Sequence, residues 1–66
     1  METEGFAIRM TNDVVHFRFR GDDGLPCEGE WRCPPDRMHE FLVGGQATPV
    51  KLTIQGGRIV SVVIGA

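Results

Sequence analysis

Apolar and polar residues alternate along most of this chain with a period of two, the pattern of strands buried on one face. Between Gly5 and Met10, the residues Phe6, Ile8 and Met10 alternate with Ala7 and Arg9, predicting a first strand with those three on a common face. Thr11, Asn12 and Asp13 are turn formers. The run Val14 to Arg20 then sets Val15, Phe17 and Phe19 against Val14, His16, Arg18 and Arg20, so the first two strands should form a hairpin. Gly21 to Pro26 is dense in residues that suit an exposed loop or wide turn. Beyond it, Cys27 to Cys33 alternates again, and Trp31 points inward if Glu28, Glu30 and Arg32 point to water.

Pro34 and Pro35 stop this third strand, because a proline ring supplies no backbone donor, yet proline suits the first turn of a helix. A short helix from about Pro35 to Val43 is expected. Asp36 favours its start, Met38, Phe41 and Leu42 form an i, i+3, i+4 apolar stripe, and Gly44 is placed to terminate it. The last third predicts a second hairpin: Val50, Leu52 and Ile54, a Gly56-Gly57 turn, then Ile59 to Ile64. A regular two-residue turn would set Ile59, Ser61 and Val63 beside Val50, Leu52 and Ile54, leaving Val60, Val62 and Ile64 on the opposite face with Lys51, Thr53 and Gln55. The last strand is therefore apolar on both faces. A glycine bulge could slip the register by one residue, but a second cover would still be needed.

The order strand, strand, strand, helix, strand, strand argues an α+β fold: a small, strongly bent antiparallel sheet of about five strands with one short helix, bordering on an SH3-like small barrel. In element order alone this layout resembles SH3-like barrels and ubiquitin-like sheets, a likeness of architecture that transfers no site. With 66 residues, 41% hydrophobic and 24% charged, the chain is long enough for one small domain, residues 1–66, and one core. A chain this short buries only about 60% of the surface its unfolded form exposes and gains from a partner subunit. We therefore expect a homo-oligomer, most simply a dimer, formed through Val60, Val62 and Ile64.

Charge narrows the partners. Seven Lys and Arg against nine Asp and Glu give a net charge of -2, without the positive field that drives non-specific nucleic-acid binding. No apolar run approaches the roughly 20 residues of a membrane span, and the first residues are acidic where a secretory signal is basic, so a cytoplasmic protein is expected. Cys27 and Cys33 would then be thiols.

Three constellations could carry chemistry. Cys27, Cys33, His16 and His39 are zinc-competent residue types. An extended strand, however, separates the two cysteines by roughly 20 Å, so no metal or cofactor is expected. Cys33 as a nucleophile with His39 as base requires side chains that a helix would diverge; an enzyme would need a site at a subunit junction. Arg9, His16, Arg18 and Arg20 form a basic stripe that could grip an acidic protein segment or follow a phosphate backbone. The plainer reading is a solvated face with Arg to Glu pairs to Glu28 and Glu30. The expectation is a non-catalytic, self-associating interaction module with the Arg9, His16, Arg18 and Arg20 face or the Gly21 to Pro26 loop free for a partner, and a nucleic-acid-binding β domain using that arginine face as the alternative.

Overall fold

A computed structural model describes residues 1–41 and 47–65. Five strands, β1 (Glu2–Thr11), β2 (Val14–Arg20), β3 (Pro26–Arg32), β4 (Thr48–Gln55) and β5 (Arg58–Ile64), form one antiparallel sheet. Its spatial order is β3-β2-β1-β4-β5. The sheet curls into a half-barrel until the edge strands β3 and β5 approach through side chains, the Ile59 methyl lying over Gly29. The domain is mostly β. Its one helical segment among the described residues is a 3-10 helix, Pro35–Phe41, rather than the expected α-helix.

Alternation builds β2 as expected: Val15 and Phe17 are fully buried and Phe19 packs against them. The β1–β2 turn uses Asn12 at φ 58°, a left-handed conformation that asparagine tolerates. The neighbouring Asp13 carbonyl accepts a 2.7 Å bond from the Cys33 N–H, which ties the end of β3 to this turn. Trp31 packs inward, 6.2 Å from Phe17 between ring centres.

Two bulges change which residues face the core. In β1 the register shifts between Ala7 and Arg9, so two residues of one strand oppose one of its neighbour and the inward set switches parity. Gly5 and Ala7 face inward before the shift, Met10 packs on the core after it, and Phe6 is left 52% exposed. The expected shared face of Phe6, Ile8 and Met10 is therefore broken. In the second hairpin, Gly56 and Gly57 take positive φ values of 59° and 76°, a two-residue turn that matches strand twist. Ile54 faces Ile59 as expected, but a bulge then sets Ser61 opposite Thr53 and Val62 opposite Leu52. Val62 is consequently a core residue, 3% exposed. Its assignment to an outer set with Val60 and Ile64 is corrected: the exposed apolar residues of β5 are Val60, Val63 and Ile64, and Ile64, opposite the buried Val50, lies on the inner side at the strand end.

Pro34 and Pro35 shape the helical segment. The Pro34 carbonyl accepts a 2.9 Å bond from Arg37 N–H, closing a three-residue turn. An i, i+3 spacing then carries Met38 and Phe41 onto the core. Phe41 meets Phe17 edge-on at 6.3 Å and Trp31 at 5.8 Å. The expected contributions of Leu42, Val43 and Gly44 lie outside the described residues.

Candidate interaction surface

The strand register assembles the outer face row by row. Phe6 sits between Arg18 on β2 and Pro49 on β4, and Lys51 lies between Glu4 on β1 and Val63 on β5. Arg18 in turn faces Glu28 on β3, and His16 is flanked by Arg9 and Glu30. Arg9, His16, Arg18 and Arg20 are thus brought to one face, with acids interleaved. The Arg18 guanidinium is 3.7 Å from the Glu28 carboxylate, and His16 Nδ1 is 3.5 Å from Glu30 Oε1. Arg20 Nη1 donates a 2.9 Å bond to the Gly24 carbonyl and so braces the Gly21 to Pro26 loop.

The Arg18–Glu28 pair is about 60% exposed on both sides. Such a pair contributes at most about 1 kcal/mol, so a stronger anion could displace the glutamate. Between the pairs, Glu2, Glu4, Arg18 and Arg20 ring an open groove of 670 Å³ with Phe6 and Pro49 in its wall. Beyond the groove's lining, on β5, Val63, beside Lys51, is 56% exposed and Val60 is 50% exposed. Phe6 and Val63 were assigned to the inner face by sequence reasoning. Only the bulges turn them outward, and no residue in either strand marks a bulge unambiguously.

A second cluster lies where the helical segment bridges the edge strands. The Arg37 guanidinium carbon is 5.5 Å from the Trp31 ring centre and 6.0 Å from that of Phe41. It bonds Glu40 twice at 3.1 Å and donates from Nη2 to the Val62 carbonyl at 2.8 Å. The hydrogen bond from Arg37 holds the Glu40 carboxyl below its ordinary range and, reciprocally, raises Arg37. Sequence reasoning passed over Arg37. The available signal was a cation one residue from Met38 and four from Phe41 in a segment that had to cap a core containing Trp31.

The sulfur and imidazole groups do not converge. Cys27 is half-buried at one end of β3, opposite Phe19, while Cys33 is buried beyond the other end. The Cys33 thiol donates to the Pro34 carbonyl at 3.4 Å, and burial pushes its pKa up, against the smaller opposing pull of Arg37. His39 is exposed on the helical segment. Among the described residues no group of three or more His, Cys, Asp or Glu is arranged to hold a metal ion, and no helix is long and apolar enough to cross a membrane. Comparison with protein-family models, curated proteins and solved structures gives no match.

Proposed function

We propose that this domain is a non-catalytic interaction module that self-associates as a dimer through the outward face of its C-terminal hairpin. Val60 and Val63 make the contact, Phe6 and Pro49 extend it across β1 and β4, and Val62 and Ile64, opposite Leu52 and Val50, belong to the inner face instead. The observation that carries this reading is that Val60, Val63 and Phe6 are each at least half exposed although the monomer's core needs none of them. Neighbouring exposed apolar side chains on one sheet face favour a protein contact. The Arg9, His16, Arg18 and Arg20 face is then left for a second protein partner carrying acidic groups. A polynucleotide suits it less well, since Glu28 and Glu30 stand among the cations. A cytoplasmic location belongs to the same reading, supported by two free thiols. Sedimentation at about 100 µM, where a standard dimer interface is filled, should give a dimer. Val60→Lys with Val63→Lys should give a folded monomer whose melting no longer depends on concentration. A parent chain that sediments as a monomer would overturn the proposal.

A further inference from the structure

β5 is an edge strand, and among the described residues no strand pairs with its free side, whose backbone groups can receive another strand. Within one residue of an antiparallel strand, N–H and C=O point to the same side, and that side alternates along the chain. The Gly65 N–H bonds to the Pro49 carbonyl and so faces β4, whereas the Val62 carbonyl reaches away from β4 to Arg37. The polar groups of Val62 and Ile64 therefore line the open edge. The segment Ile59 to Ile64 has no charge and no proline, and five of its six residues are β-branched, a composition that favours strand pairing. Natural edges carry a lysine, a proline or a bulge against this hazard. On β5 the charge of Arg58 and the bulge guard only the end nearest the turn, and Val62 to Ile64 has no such residue of its own.

We infer that Arg37 is an autoinhibitory cap on this edge, preventing antiparallel pairing of β5 with β5 of a second copy. Its guanidinium, fixed by Glu40 and stacked near Trp31 and Phe41, occupies the Val62 carbonyl where an incoming N–H would bind. With Arg37 withdrawn, a two-fold axis at Val63 sets Val62 of each copy opposite Ile64 of the other, so both residues exchange N–H···O bonds. A second copy is the fitting occupant because an uncharged strand is its own complement about such an axis. This contact uses the strand edge, whereas the dimer proposed above uses the sheet face, and the two stand or fall separately.

The test is Arg37→Met, which keeps an apolar chain over Trp31 and removes the donor. At about 100 µM its weight-average mass should be about twice that of the unaltered chain, whatever that chain's own state. Hydrogen exchange at the Val62 and Ile64 amides should slow at least about tenfold, as newly paired groups require. Adding Ile64→Pro, which deletes an outward N–H at a partly exposed position, should cancel both effects. If that variant does not fold, Arg37→Met with Val63→Lys, compared with Val63→Lys alone, sets two lysines together across the axis and should cancel the doubling instead. A folded Arg37→Met whose mass equals that of the unaltered chain would overturn the inference. So would a rise in mass that survives the second substitution, since it would report exposed core rather than a paired edge.

Discussion

Gly5 is the point at which the central strand has no room for a side chain. It lies in β1 between Phe19 on β2 and Val50 on β4. A Cβ built there falls 2.9 Å from the Phe19 Cβ and also overlaps the Arg18 backbone carbonyl. Neither obstacle is the far end of a flexible chain, so Gly5→Ala must push β1 away from β2 along the middle of the sheet. Overpacking of this kind costs about 1–3 kcal/mol, and backbone opposition puts this case near the upper figure. A domain of this length has about 3–10 kcal/mol of stability in total. Near its melting point, 1 kcal/mol shifts the midpoint by about 7 °C. Gly5→Ala should therefore melt about 20 °C lower, followed by circular dichroism and by fluorescence of Trp31, the one tryptophan.

Gly29→Ala is the matched control. Its Cβ would sit 3.1 Å from the Ile59 Cδ1 and 3.2 Å from the Phe19 Cε1, both at side-chain ends that can yield. Removing a glycine also restricts the unfolded chain, a gain of about 0.4–1 kcal/mol where the backbone conformation is compatible. The net change should stay within about 1 kcal/mol. If Gly5→Ala melts within about 7 °C of the parent, or Gly29→Ala falls further than Gly5→Ala, the account of the β1–β2 contact is wrong.

Three further outcomes rest on the same geometry. Arg18→Ala with Arg20→Ala should change stability by less than about 1 kcal/mol in urea melts, because the ion pair to Glu28 is exposed; a larger loss would give this face a structural role. Val62→Lys buries a charge opposite Leu52 and should cost about 4 kcal/mol or more, enough to unfold much of the protein, whereas Val60→Lys should leave the far-ultraviolet spectrum intact. Cys33 has a folded-state pKa raised by burial, so its contribution to stability is complete below the unfolded thiol's value of about 8.5 and is lost as pH rises through the folded one. Alkaline melts should show that loss and Cys33→Ala should reduce it, while at pH 8 iodoacetamide should modify Cys27 well before Cys33, read by mass spectrometry.

Strand positions were legible because period-two runs are bounded by Gly and Pro, as Val14 to Arg20 and the Gly56-Gly57 turn illustrate. Which residues share a face was legible only within a run that no bulge interrupts, so Phe6 and Met10, on either side of one, take opposite faces. One inserted residue between Ala7 and Arg9, and another at Val60, reverse the parity of every later position in their strands, and neither needs a residue type foreign to a strand. Hence Phe6 and Val63 were assigned inward and Val62 outward. The position of β1 between β2 and β4 depends on pairing across most of the chain, and local pattern carries no such information. Arg37 was missed because a cation in a short helical segment normally projects to water. Here the approach of the two sheet edges supplies an aromatic surface and a free carbonyl to receive it.

The bulges also bear on why apolar residues lie outside. A bulge increases local twist, and strong twist lets five short strands curl far enough for Phe17, Leu52 and Val62 to share one core. Curling requires extra residues in β1 and β5, but it does not require them or their neighbours to be apolar. Polar side chains at positions 6, 60 and 63 would leave every buried contact of that core intact, since all three project away from it. Thr53 and Ser61, paired on the same outer face, show that polar residues are accommodated there. Packing within one copy therefore does not account for Phe6, Val60 and Val63. The contact proposed above would account for them, and a small domain with few buried side chains would gain stability from it.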